Sequence, residues 1–327
     1  MGMFDGSSIL ITGGTGSFGK VFLNRILAEH DPARVAVFSR DELKQYEMKM
    51  TLGDDPRVRF FIGDIRDRER LEMALHGVDY VVHAAALKQV DTAEYNPMEY
   101  VKTNILGSEN VMTAAIAAGV KQVVALSTDK ASSPVNLYGA TKLTADKLFV
   151  SGNHYSYARG TKFAVVRYGN VVGSRGSVIP FFRRRAEAGK PLPITDVRMT
   201  RFWITLDQAI DFVIAAFATM DGGELYVPRI PSMRLTDLAE AIAPSSEIVE
   251  VGIRPGEKLH EEMISEEDAR RTIRQPDRYV VAPTLAEWTF RIPEGDPVEE
   301  GFSYSSDTND EWLTVEQLRH MANALGA

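Results

Sequence analysis

The 327-residue chain contains no cysteine. That excludes disulfides, thiolate metal sites and thiol nucleophiles in one step, and no metal site is expected. A reducing cytoplasm is the expected location. Long apolar runs are also missing, for none approaches the ~20 residues of a membrane helix. The opening, Met1 to Ser8, is polar with an acid at Asp5 and does not read as a secretion signal. Excess positive charge is absent too: 37 Lys and Arg face 45 Asp and Glu, a formal net charge of -8. Phosphate backbones demand a basic surface, so neither nucleic acid nor a membrane is an expected partner. One phosphorylated small molecule, held by a few local cations, stays compatible with that balance.

What is present is alternation. Short apolar runs at Ser8–Thr12, Val35–Phe38, Val58–Ile62, Tyr80–His83, Gln122–Leu126 and Lys162–Arg167 read as strands. Helical stretches lie between them: Phe18–Glu29, Asp41–Leu52, Asp67–Leu75, Met98–Ala118 and Leu137–Phe149. This is the α/β pattern of a doubly wound parallel sheet, Rossmann-type, covered on both faces. After about Asn170 prolines punctuate shorter elements. The expected division is a dinucleotide domain over 1–170, completed by a helix near 205–220, then a smaller substrate lobe over 171–300. A helical tail over 301–327, strongest from Trp312 to Leu325, closes the chain.

The most informative element is Thr12-Gly13-Gly14-Thr15-Gly16-Ser17-Phe18-Gly19, between a strand and a helix. Glycines permit the tight turn and let backbone N–H groups approach a pyrophosphate at the helix N-terminus. A plain glycine turn is the bland alternative. The spacing of Gly13, Gly16 and Gly19 resembles the extended branch of the short-chain dehydrogenase/reductase superfamily. At the end of the second strand, an acid suits the ribose 2′-OH of NAD and an arginine the 2′-phosphate of NADP. This chain offers Ser39-Arg40-Asp41 with Lys44 one turn beyond. Arg40 and Lys44 favour NADP, while Asp41 keeps NAD open. Gly63-Asp64-Ile65 resembles the segment that contacts adenine in that superfamily, although Asp64 could equally cap the following helix.

Thr128-Asp129-Lys130 falls at a strand's carboxyl end, where open α/β sheets bind ligands. Tyr138 and Lys142, four apart on a helix, share one face. A cation beside the phenol lowers its pKa and makes it a proton acceptor for an alcohol undergoing oxidation. A simple reductase needs no further acid or amine, so Asp129-Lys130 points to a second proton transfer, unless the pair is only a solvated turn.

The run Leu126-Ser-Thr-Asp-Lys-Ala-Ser-Ser-Pro-Val-Asn-Leu-Tyr-Gly-Ala-Thr-Lys142 is similar to the inverting UDP-N-acetylglucosamine 4,6-dehydratases. The resemblance extends through Ser39–Lys44, Ala84-Ala85-Ala86-Leu87-Lys88, Glu94–Pro97, Met199–Trp203 and Arg254-Pro-Gly-Glu257-Lys258. The segment Val90-Asp-Thr-Ala departs from the more apolar stretch expected there. Related C5-epimerising enzymes commonly carry Met where this chain has Tyr138, which favours a dehydratase proper.

The resemblance implies that Asp129, Lys130, Tyr138 and Thr128 are catalytic, with Lys142 supporting Tyr138 and cofactor. It places Ala84–Ala86 and Lys88 at the cofactor, with Lys88 near the sugar as well. Asn170 and Val178-Ile179-Pro180 would face the nucleotide sugar, Arg201 and Arg254 would line its diphosphate side, and Glu257 would also bind the substrate. The implied reaction is NADP-dependent removal of water from UDP-N-acetylglucosamine with inversion at C5, the first step of pseudaminic acid synthesis. Lys130 would take the C5 proton and Asp129 would assist loss of water from C6. A homo-oligomer, with a hexamer as the form indicated, is also implied; Arg183-Arg184-Arg185 reads as solvated or intersubunit surface. A nucleotide-sugar 4-epimerase or reductase, and a non-catalytic NADP-sensing regulator, are the competing functions.

Overall fold

The computed structural model describes residues 2–173, 178–285 and 290–324. The six apolar runs form β1 (Ser8–Thr12), β2 (Arg34–Ser39), β3 (Val58–Ile62), β4 (Tyr80–His83), β5 (Gln122–Thr128) and β6 (Lys162–Tyr168). Across the sheet they lie in the order β3, β2, β1, β4, β5, β6, all parallel. Helices cover both faces, so β1 is buried at every residue and shows no polar alternation. The winding direction reverses between β1 and β4. The crevice at their carboxyl ends is therefore the place where such a sheet binds ligands.

The sheet continues past the point where the sequence rhythm breaks. Leu225–Pro228 pairs parallel with β6, and Arg278–Val281, Thr272–Arg274 and Asp296–Pro297 extend it antiparallel. Residues 171–300 are thus shared between this sheet and a second, smaller core. That core gathers Ile179, Phe182, Leu192, Trp203, Met233 and Leu238 against Leu318 and Ala322 of the tail. Each large apolar side chain fully buried there contributes roughly 1.5–3 kcal/mol.

The helix expected near 205–220 is Leu206–Thr219, whose cap Thr205 makes a reciprocal pair with Gln208. It lies beside α1 (Ser17–Glu29), where Arg25 donates to Asp207 and Asp211 at 2.7 Å each. The tail helix starts at Val315, not Trp312, because Thr314 and Gln317 bond each other's backbone N–H groups at its first turn. Leu325 lies outside the described residues. No helix among the described residues is long and apolar enough to cross a membrane.

Two further elements differ from expectation. Met98–Ala118 is not one α-helix: Pro97–Tyr100 leads into a π-helical segment, Val101–Leu106, before the α-helix Gly107–Ala118. Inside the π segment the buried Asn104 bonds both the N–H and C=O of Leu87 and the Thr141 hydroxyl, contacts that local propensity does not encode. The helix after Asn136 runs to Ser156 rather than ending at Phe149. Gly152 does not end that helix; a Cβ there would meet Met112 Sδ at 2.9 Å and Phe163 at 3.0 Å.

His83, on β4, is 2% exposed and bonds Thr12 Oγ1 at 2.8 Å. Burial, helped by the Lys142 charge, holds its pKa down to about 3. The unfolded chain therefore takes up this proton first, and stability falls as pH drops from about 6.5 toward 3, by at most roughly 1.4 kcal/mol per unit. We expect His83→Asn to lose less melting temperature than the parent across that window. An equal acid loss in both proteins would show that His83 does not carry the effect.

Candidate active site

The first wall of the site is the glycine loop. Gly13 adopts φ +64°, and a Cβ there would lie 2.9 Å from the Ala85 nitrogen. A Cβ on Gly19 would lie 2.4 Å from Gly14 Cα, so loop and helix touch backbone to backbone. The N-cap of α1, Gly16, offers no side-chain cap to the first-turn N–H groups. A cradle of this shape, with uncapped donors, fits a pyrophosphate.

At the rim, Thr15 Oγ1 and Ser39 Oγ are 2.7 Å apart, joining the loop to the end of β2. Arg40 is half exposed, with Nη1 3.4 Å from Asp64 Oδ2. Asp41 caps the helix α2 (Glu42–Leu52) by accepting from the Lys44 N–H at 3.0 Å, and the Lys44 ammonium bonds the same carboxylate. Asp64 does not cap the next helix, since Asp67 accepts from Arg70 N there.

The second wall carries the chemistry. β5 ends at Thr128 and turns through Asp129–Ala131 before Asn136 caps the helix Leu137–Ser156. A Cβ on Gly139 would come within 2.1 Å of the Lys130 carbonyl, so only glycine lets the Tyr138 turn close on Lys130. The Tyr138 phenol and Thr128 line the same wall of the cavity. Thr128 Oγ1 donates to Asp129 Oδ1 at 2.8 Å, and Lys130 Nζ donates to the same oxygen at 3.0 Å. On its other side Lys130 Nζ lies 3.0 Å from Glu261 Oε1. Asp129 and Glu261 are 1% and 2% exposed, so both carboxylates act at low local dielectric.

Charge states follow from this arrangement. Burial alone would lower the Lys130 pKa, but Asp129 and Glu261 overcome it and the net shift is upward. Burial pushes the Tyr138 phenol up to about 12, opposed mainly by the Lys130 charge. Lys142 donates to the Leu126 carbonyl at 2.7 Å, and its own pKa is lowered by burial. Lys130 is thus the main cation lowering the Tyr138 pKa against burial.

Both walls open into one cavity of about 790 Å³. The sequence model of a polysaccharide biosynthesis protein family matches residues 9–283. The chain belongs to this family. It is 52% identical to a UDP-N-acetylglucosamine 4,6-dehydratase (inverting) of Campylobacter jejuni, over 98% of each chain. A UDP-glucose 4-epimerase of Rickettsia canadensis is 43% identical, over 85% of this chain and 83% of its own. Among solved structures, Pen from Bacillus thuringiensis superposes with TM-score 0.91 and 38% identity, covering 99% of both chains. DesIV, a dTDP-glucose 4,6-dehydratase from Streptomyces venezuelae with NAD and TYD bound, gives 0.69 and 28%, covering 77% of this chain and 86% of its own.

Within this family member, Gly13, Thr15 to Gly19, Ser39 to Asp41, Lys44, Asp64, Ile65, Ala84 to Ala86 and Lys88 all line the cavity. So do Thr128, Asp129, Lys130, Tyr138, Lys142, Asn170, Val178, Arg201, Arg254 and Glu257. Ile179 and Pro180 do not: Ile179 is buried in the second core and Pro180 is exposed, because consecutive helix positions diverge. Arg201, expected at a diphosphate, lines the cavity but is buried among protein partners. Its guanidinium donates to the carbonyls of Thr200, Leu259 and Lys258, and pairs with Glu257 at 3.5 Å and Glu261 at 3.7 Å. Of the three consecutive arginines, Arg183 bonds the Ala322 carbonyl and Arg185 that of Pro191.

Glu261 is the residue that sequence reasoning missed. It stands three residues beyond Lys258 in a run of acids with no motif around it. Only its burial marks it out. For the loop, we expect Gly19→Ala to destabilise the protein by about 2 kcal/mol or more, since backbone, not a flexible side chain, fills the space. Urea unfolding measures this, and an unchanged midpoint would refute the close approach.

Proposed function

We propose that the protein is an NADP-dependent, inverting UDP-N-acetylglucosamine 4,6-dehydratase, supplying the first step of pseudaminic acid synthesis. The observation that carries the reading is the Thr128-Asp129-Lys130 turn, an acid and an amine set against Tyr138 at the carboxyl end of β5. A 4-epimerase or a reductase needs the tyrosine but has no use for a buried acid–amine pair. A cofactor-sensing regulator needs neither.

In this reading residues 1–170 hold the dinucleotide, and the later lobe holds the nucleotide sugar with Asn170, Val178 and the rim residue Arg254 nearest it. The Gly13–Gly19 loop would hold the pyrophosphate. NADP would supply hydride acceptance at C4 and hydride return at C6. Tyr138 takes the proton of O4. The C4 ketone acidifies C5, and Lys130 removes that proton. Asp129, once protonated, donates to the departing C6 oxygen. Asp41 is already engaged as a helix cap and by Lys44, which leaves the half-exposed Arg40 as the group for a ribose 2′-phosphate. The enzyme in this proposal is a cytoplasmic homo-oligomer, a hexamer.

The test is incubation with UDP-N-acetylglucosamine followed by mass spectrometry. Loss of one water is expected, and an unchanged product mass would return the reading to an epimerase or a regulator. Consumption of added NADPH would mark a reductase. Tyr138→Phe should lower turnover by roughly 100-fold or more, the scale of a lost general base, with the dinucleotide still bound. Near-parent turnover would move the base elsewhere. Arg40→Ala should weaken NADP by about tenfold while NAD changes little, as expected for one charge-assisted contact. Equal losses in a titration of both cofactors would leave Arg40 without a part in the choice.

A further inference from the structure

Glu261 has a position that the reaction as described does not use. Its backbone is fixed on both sides, since Glu261 N donates to Ser306 Oγ at 2.9 Å and Ser306 N donates to the Glu261 carbonyl at 2.8 Å. Ser306 Oγ in turn lies 2.7 Å from Thr200 Oγ1, at the start of the strand Thr200–Ile204. The carboxylate therefore projects from the second lobe to Lys130 along a defined path. Oε1 meets Lys130 Nζ at 3.0 Å, while Oε2 is buried with no hydrogen-bond partner among the described residues. Asp129 Oδ2 is in the same condition. Facing Lys130 are Asp129 on its own turn, Glu261, Arg201 from Thr200–Ile204, Tyr138 from the helix and Lys258 from the Arg254–Lys258 loop.

We propose that Glu261 is a positioning residue that, with Asp129, holds Lys130 as an ammonium and frees it as a base only after Asp129 has been neutralised. This rests on the dehydratase reading above. A hydrogen-bonded line runs from Thr128 through Asp129 and Lys130 to Glu261, and Tyr138 lines the same cavity beside Thr128. When O4 loses its proton to Tyr138, the phenol proton passes to Thr128 and the Thr128 proton to Asp129 Oδ1. Asp129 is now the neutral acid that the C6 hydroxyl requires. Lys130 then faces one carboxylate instead of two.

An N–H bond of Lys130 breaks as an O–H bond forms on Glu261 Oε1, and the Nζ lone pair takes the C5 proton. The C5–H electron pair moves onto the C4 carbonyl as an enolate. Collapse of that enolate expels the C6 oxygen, which leaves as water with the Asp129 proton. The count closes once the hydride taken from C4 has been returned to C6 by the cofactor, solvent has protonated C5, and the proton stored on Glu261 has gone back to solvent. Elimination is thereby interlocked with oxidation: C5 is not attacked until O4 has been deprotonated.

Glu261→Gln keeps the size of the side chain and removes its charge. Two readouts are expected to move. In nitrogen-15 NMR of the labelled lysines, Lys130 should titrate at a pH lower than in the parent by one unit or more, about a tenfold change in proton affinity. The acidic limb of the kcat–pH profile should shift down with it, while kcat at neutral pH falls about tenfold and KM changes less than about threefold. Glu261→Asp, which withdraws the carboxylate by one methylene, should move both readouts the same way by less, and serves alone if the glutamine variant does not fold. Either readout staying in place overturns the proposal, even if kcat falls, because a merely structural role lowers the rate without moving a titration. The dehydratase reading fails separately, on a parent enzyme that removes no water; the Lys130 titration needs no substrate and still decides the place of Glu261.

Discussion

One buried guanidinium ties the site together. Arg167, on β6, is 1% exposed and donates to Asp146 on the Leu137–Ser156 helix at 3.1 Å and to the Met263 carbonyl at 2.9 Å. Asp268 lies 3.6 Å from it, and Asp146 also accepts from Ser127 at the end of β5 at 2.8 Å. Four pieces of chain are thereby fixed to one cation: the strand before the Asp129 turn, the helix bearing Tyr138, β6, and the strand Glu262–Ile264 that follows Glu261. Removing one partner of such a pair strands a buried charge and costs about 3–5 kcal/mol. The Asp129 turn and Glu261 thus both adjoin segments held by this anchor.

Much of this was readable from residue order alone, and the reason is local. Five of the six parallel strands are short, largely buried apolar runs between helix signals, the edge strand β3 is mostly half-exposed, and all six appear where the pattern puts them. The glycine loop is equally legible because the close approaches at Gly13 and Gly19 tolerate no side chain. The π-helical segment was not legible, since Asn104 is held by Leu87 and Thr141, partners far along the chain. Nor was the shared use of residues 171–300, because the pairing of Leu225–Pro228 with β6 spans most of a lobe. Glu261 escaped for the same reason. It precedes a strand of three residues whose partner, Tyr304–Ser305, lies about forty positions on.

Arg201 lines the cavity, but it is buried, which limits which of its donors can face a ligand. A cation near a nucleotide site invites assignment to phosphate. Its fork is instead filled by three carbonyls and two carboxylates, which hold the Arg254–Lys258 loop against the strand Thr200–Ile204. Its Nε also lies 3.7 Å from Glu261 Oε1, so the same guanidinium borders the Lys130 cluster. Arg254 at the rim is left with the exposure that a diphosphate contact requires.

The buried Asp129–Lys130–Glu261 cluster also bears on which reaction the fold performs. Three ionised groups taken from water are weak contributors to stability, and apolar residues of similar volume often serve a core as well or better. A 4-epimerase turns a ketone over between two faces and gains nothing from them. A dehydratase must remove a proton at C5 and supply one at C6, with opposite protonation demands a few ångströms apart. Two carboxylates around one amine meet that demand, because a proton arriving on either acid changes what the amine can do. On the proposed reading, proton chemistry beyond the first oxidation accounts for the cost of burying the cluster, which a hydride fold alone would not need.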